Sequence, residues 1–150
     1  MEVVIDEPIQ LSFPLPRSLD TMIHLRLTIK SKVILLFVTT VAADEQDNAA
    51  PMGSFVYALP DKYNPTQPLS TTIYSVEPTI EFTTRLAKIL AKKTQMPVYV
   101  GNSVSFANTG LGGTVEEEME ALKRIVEVSF EKLQGVIGSP DALPNGTSTP

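Results

Sequence analysis

The stretch MIHLRLTIKSKVILLFVTT, Met22 to Thr40, decides the fold. In its first half Ile23, Leu25, Leu27 and Ile29 alternate with Met22, His24, Arg26 and Thr28. A period of two marks a strand with one buried face. The second half holds VILLFV, Val33 to Val38, a continuous apolar run. It is too short for a free-standing helix and rich in β-branched and aromatic residues, so it reads as a strand apolar on both faces. The two strands form a hairpin around Lys30 and Ser31, although Lys-Ser is not a favoured two-residue turn. That centre pairs Thr28 with Val33, Arg26 with Leu35 and His24 with Phe37, and paired residues share a face. One face then carries Ile23, Leu25, Leu27, Ile34, Leu36 and Val38. The other carries His24 and Arg26 beside Val33, Leu35 and Phe37.

Outward from the hairpin, GSFVYAL (Gly53 to Leu59), LSTTIYS (Leu69 to Ser75) and VYV (Val98 to Val100) read as further strands, and LSF near Leu11 as one more. A helix is expected from about Pro78 to Thr94, with Phe82, Leu86, Ile89 and Leu90 as its apolar stripe. Arg85, Lys88 and Lys92 line its opposite side, with Glu81 four residues before Arg85. A second helix is expected from Thr114 to about Leu133. Thr114 and Glu117 fit a capping box, and Val115, Met119, Leu122, Val126, Phe130 and Leu133 make one stripe. The segments 41–53 and 61–68 read as loops. The stretch 1–134 reads as one domain, followed by a Gly-, Pro-, Ser- and Thr-rich tail, 135–150, expected to be disordered.

The expected class is therefore α+β: a mainly antiparallel sheet of about six strands with two helices on one face. Two helices cover only one face, so Val33, Leu35 and Phe37 remain on the other. A contiguous apolar patch left in water is disfavoured. A partner sheet packed face to face would cover it; the N-terminal segment, a loop or the tail could do so instead.

Charge and composition exclude several function classes. The 150 residues are 43% hydrophobic and 19% charged, with a net charge of −5, an ordinary globular balance. An acidic chain lacks the surplus of cations that binding to nucleic-acid phosphates needs. No cysteine is present, so no disulfide or thiolate site is expected. No apolar run is long enough to span a bilayer, and MEVVIDEPIQ lacks the basic start of a secretory signal.

His24 is the only histidine. No G-x-S-x-G elbow accompanies it, and its place in an alternating strand beside Arg26 suits a sheet surface or interface better than catalysis. One histidine without cysteine also makes a structural zinc site an unexpected reading. In NTGLGGTVEEEME, Asn108 to Glu120, the glycines precede a helix as in a phosphate loop. Gly110 and Gly112 fit the first two positions of G-x-G-x-x-G, but Val115 stands at the third. Glu116, Glu117 and Glu118 would repel phosphate, yet they suit the helix dipole. Three consecutive glutamates on a helix diverge, which favours solvated acids over a metal site. The basic stripe Arg85, Lys88 and Lys92 is either a solvated, well-terminated helix face or a surface that docks protein. No aromatic side chain is interleaved with it to stack bases.

The hairpin, the loop, the next strand, the helix-to-strand run LAKILAKKTQMPVYVG and the later EEEMEAL stand in an order that resembles the proteasome assembly chaperone 4 family. The resemblance covers about Met22 to Leu133. It implies an antiparallel sheet backed by helices and a heterodimer, sheet against sheet, with a proteasome assembly chaperone 3 type partner. It further implies capture of a proteasome α subunit, chiefly α5, during assembly of the 20S α-ring, in the cytoplasm and also the nucleus. The family carries no catalytic residue, cofactor or metal, and neither nucleic acid nor membrane is an expected partner. On this reading Val33, Leu35, Phe37, His24 and Arg26 face the partner, and Arg85, Lys88 and Lys92 touch the α subunit. Two readings from other classes stay open: a small-molecule-binding domain using segment 108–114, and a structural domain that self-associates through the apolar sheet face.

Overall fold

The computed structural model describes residues 8–16, 18–42, 52–106 and 113–137. Six strands form one sheet: β1 (Ile9–Leu15), β2 (Ser18–Lys30), β3 (Val33–Ala42), β4 (Ser54–Leu59), β5 (Leu69–Tyr74) and β6 (Val98–Ser103). Two helices, α1 (Ile80–Thr94) and α2 (Val115–Ile137), complete it. The spatial order is β1-β2-β3-β6-β4-β5. Every pairing is antiparallel except β3 with β6, which is parallel. The fold is thus α+β with a mostly antiparallel sheet, as the hairpin pattern leads one to expect.

The central hairpin turns one residue later than the sequence suggests. Lys30 pairs with Val33, Thr28 with Leu35, Arg26 with Phe37 and His24 with Thr39. The turn residues are Ser31 and Lys32, with φ of 53° and 63°. Two left-handed residues make the mirror-image turn whose twist matches the flanking strands. The pairing slides by two residues relative to the expected one. A slide of two leaves every side chain on its expected face, whereas a slide of one would have inverted them all.

Beneath one face lies the core. Ile23, Leu25 and Leu27 of β2, Ile34, Leu36 and Val38 of β3, and Val98 and Val100 of β6 are buried there together with the inner sides of both helices. In α1, Leu86, Ala87, Leu90 and Ala91 are buried, while Phe82 and Ile89 pack at the margin. The α1 helix begins at Ile80, after Pro78, and its preceding Thr79 does not cap it through the side chain. Thr79 serves instead in a buried polar chain. Ser54 Oγ accepts from the Val76 N–H at 2.8 Å and lies 2.8 Å from Thr79 Oγ1. Thr83 Oγ1 donates to the Thr79 carbonyl at 2.6 Å and accepts from Asn102 Nδ2 at 3.1 Å. Asn102 Oδ1 in turn accepts from the Val104 N–H at 3.1 Å. This chain pins the start of α1 to the ends of β4 and β6.

The α2 helix departs most from expectation. Its buried side is Glu117, Ala121, Leu122, Ile125, Val126, Val128, Ser129 and Leu133. Val115 and Met119, expected in the buried stripe, are 73% and 44% exposed, and Phe130 is half-buried. Small Ala121 and Ser129 are fully buried, and a count of large apolar residues misses them. The capping box is also modified. Thr114 Oγ1 accepts from the Glu117 N–H at 3.2 Å, but Glu117 Oε1 accepts from the Gly113 N–H at 3.0 Å. Glu117 is therefore buried, unlike the solvated acid expected. The helix also continues to Ile137, beyond Leu133. The rest of the expected tail, 138–150, and most of the loop 41–53, residues 43–51, lie outside the described residues.

The turn makes a stability prediction. Ser31 and Lys32 hold conformations that cost a non-glycine residue roughly 1 kcal/mol or more. The double substitution Ser31→Asn, Lys32→Gly should stabilise the protein by about 1 kcal/mol, raising Tm by roughly 3–6 °C in a thermal melt. An unchanged or lower Tm would contradict the turn geometry.

Candidate functional site

The helix-free face of the sheet is the candidate site. Alternation along β2 and β3 puts Val33, Leu35, Phe37, His24 and Arg26 on this face, as the sequence pattern requires. Val33, Leu35 and Phe37 are half-buried, and Arg26 is exposed. The register extends the face beyond the hairpin. Leu35 lies beside Tyr99, which pairs with Tyr57, and Phe37 lies beside Gly101, which pairs with Phe55.

Four aromatic rings thereby form a chain across β3, β6 and β4. The Phe37 and Phe55 rings are 6.1 Å apart and within 4° of parallel. Phe55 stacks on Tyr99 at 5.8 Å, and Tyr99 meets Tyr57 at 4.5 Å. Such pairs contribute about 0.5–1.5 kcal/mol each beyond the area they bury. Gly101 permits this closure. A Cβ there would sit 2.6 Å from Phe37 Cδ1 and 3.4 Å from Phe55 Cδ1. The missing side chain lets both rings lie over the central strand.

Toward β1 the face turns polar. Ser12 Oγ and His24 Nδ1 are 2.6 Å apart across the β1–β2 pair. Together with Arg26, Phe37, Thr39 and Gly101 they line a shallow depression of about 520 Å³. The described residues bring no carboxylate to His24, so the Ser–His pair lacks the third member that orients a catalytic imidazole. Its chemistry is that of a hydrogen-bonding rim beside an apolar centre, the usual make-up of a protein interface.

The basic stripe of α1 is divided. Lys88 and Lys92 border the loop before β5, beside Pro68 and Leu69. Arg85 leans the other way, its Nη1 3.6 Å from Met119 Sδ of α2 and not on Glu81. Lys93 places its Nζ 5.3 Å from the centre of the Phe130 ring. Of the Gly-rich segment 108–114, only Gly113 and Thr114 are described. The Glu117 carboxylate occupies the Gly113 N–H, which opposes a phosphate at that position. No group of His, Asp or Glu among the described residues is placed to hold a metal ion, and no described helix is long and apolar enough to cross a membrane.

Phe55, Tyr57, Tyr99 and Gly101 are the site residues that sequence reasoning missed. The alternation in SFVYAL and VYVG already paired an aromatic with each buried aliphatic residue, which was the available signal. The strand order that brings them beside Leu35 and Phe37 was not available.

The family model described as "Proteasome assembly chaperone 4" matches residues 22–104. No curated protein matches the chain. Among solved structures, one from the "Crystal Structure of a Novel Chaperone Complex for Yeast 20S Proteasome Assembly" superposes with a TM-score of 0.59 at 13% identity. That match covers 88% of this chain and 98% of the yeast chain, and at that identity it speaks to the fold.

Gly101→Ala tests the aromatic closure. Displacing Phe37 by the new Cβ should cost about 1–3 kcal/mol in urea unfolding and alter the near-ultraviolet circular dichroism of the stacked rings. Unchanged stability and spectrum would show that the rings do not close over β6.

Proposed function

This chain belongs to the proteasome assembly chaperone 4 family, and on that premise we propose that it is a non-catalytic chaperone for assembly of the 20S proteasome α-ring. It acts as one half of a heterodimer, its open sheet face packed against the sheet of a proteasome assembly chaperone 3 type partner. The pair captures a proteasome α subunit, chiefly α5, in the cytoplasm and also the nucleus. The observation that carries this reading is the aromatic chain Phe37–Phe55–Tyr99–Tyr57 on a face without helices. Aromatic centres with polar rims are where binding energy concentrates at interfaces, and a face of this kind suits a patch of about 800 Å² per partner. The yeast structure with the same fold comes from a chaperone complex for 20S proteasome assembly, which supports the assignment.

Leu35 lies beside Tyr99 near the middle of that face. Leu35→Asp buries a charge against apolar surface in the heterodimer and should abolish co-purification with the chaperone partner while the isolated chain stays folded. Retained co-purification would exclude this face as the interface. A homodimer of the isolated chain in light scattering, lost in Leu35→Asp, would instead favour a self-associating structural domain.

For the α subunit the supporting feature is the exposed basic side of α1. Charge reversal at Arg85, Lys88 and Lys92 together should weaken α-subunit capture about tenfold or more at low salt and flatten its salt dependence. Capture at undiminished strength would mean that the stripe is only a solvated helix face.

A further inference from the structure

The opposite side of the molecule carries a second apolar surface. Between α1 and α2 runs an open groove of about 820 Å³, with Ile89, Met119, Leu122, Val126 and Phe130 along its floor. The α2 helix leaves Met119 exposed and Phe130 half-buried at the edge of this groove. In the stripe from Met119 to Phe130, Leu122 and Val126 are almost fully buried within the chain, while Met119 and Phe130 keep apolar surface open to the groove. That stripe spans eleven helical steps, about 16 Å, or three turns.

The two walls of the groove differ in charge. On the α1 side stand Arg85, which reaches over Met119, and Lys93, which lies over Phe130. On the α2 side the crest carries Glu120, Glu127 and Glu131 with Lys123 among them, and Glu127 Oε1 lies 3.8 Å from Arg124 Nη1. An apolar floor between one basic and one acidic wall matches an amphipathic helix. Its apolar stripe would fill the floor, acidic side chains would face α1, and basic ones would face α2. An extended strand would leave its backbone groups unsatisfied against this floor, whereas a helix satisfies its own. The residues of this chain after α2 do not fit: in GSPDALPNGTSTP, Leu143 is the one large aliphatic side chain.

We propose that the α1–α2 groove is a docking site for an amphipathic helix of a protein partner with oppositely charged flanks. It lies on the face of the sheet opposite the proposed chaperone interface, so both can be occupied together and each can fail alone, and it shares Arg85 but not Lys88 or Lys92 with the proposed α-subunit surface.

The test uses the full chain and helix-stabilised peptides of about 18 residues, five turns, with leucines at every third and fourth position. One peptide carries Glu along one flank of the stripe and Lys along the other. Two controls carry Glu on both flanks or Lys on both. Fluorescence anisotropy should give saturable binding of the two-signed peptide, weaker by about fivefold or more for either control at low salt, with the difference shrinking at about 0.5 M salt. Met119→Glu, at an exposed position that leaves the core intact, should weaken binding about tenfold with an unchanged Tm. Leu35→Asp should leave it unchanged. Absence of saturable binding, equal binding of the three peptides, or loss with Leu35→Asp but not Met119→Glu would overturn the proposal. So would a dimer of the isolated chain that Met119→Glu dissociates, since the groove would then belong to a second copy.

Discussion

Strand β3 has no hydrophilic side along Val33 to Val38, and both surfaces of the molecule follow from that. Ile34, Leu36 and Val38 are fully or nearly fully buried under the helices. Val33, Leu35 and Phe37 point the other way by the geometry of a pleated strand, and no helix among the described residues covers them. Burying a side chain of this size removes about 1.5–3 kcal/mol of unfavourable exposure. The helix side gains that stabilisation within the chain. On the other side Val33, Leu35 and Phe37 stay half-buried, and the aromatic residues of β4 and β6 extend the same apolar surface.

The parallel step between β3 and β6 makes that enlargement possible. It places β6 between the hairpin and the β4–β5 pair, so that Gly101 sits between Phe37 and Phe55. A glycine in a central strand ordinarily weakens it, since it offers nothing to pack. Here the rings of its two neighbours close over the gap, so the missing side chain is used. On the helix side of the same strand the next residue, Asn102, is buried and hydrogen-bonded to Thr83. Adjacent residues of β6 thus serve opposite faces: Gly101 makes room for the stacked rings, and Asn102 locks α1 to the sheet.

Much of this was legible in the residues. The alternation from Ile23 to Ile29 and the unbroken run after Val33 identified the hairpin and its two faces, and the face assignment survived a turn placed one residue too early because the pairing error was two. The basic last turn of α1 was equally legible. Less so was α2, where large apolar residues over about five turns, Val115 to Leu133, suggested a buried stripe. The helix buries Leu122, Val126 and Leu133 of that stripe, adds Ala121, Ile125 and Ser129 to the buried side, and turns Val115 and Met119 outward. Hydrophobic spacing locates an amphipathic helix but not its rotation to within one residue when apolar side chains cover more than half its circumference. Glu117 was misread for a related reason: acids at a helix start are usually solvated, yet its carboxylate folds back onto the Gly113 N–H.

Local sequence by itself determined which segments are strands and helices and which side chains share a face, because both depend on the short periods of the backbone. It also determined that the two helices would cover only one face of the sheet, since two helices cannot shield two sides. Only the tertiary structure decided the strand order, and with it the aromatic chain, the role of Gly101 and the groove between the helices. These depend on pairings between residues tens of positions apart, such as Phe37 with Gly101 and Asn102 with Thr83. Their energies come from shape and hydrogen bonding between surfaces that exist only once the chain has closed on itself.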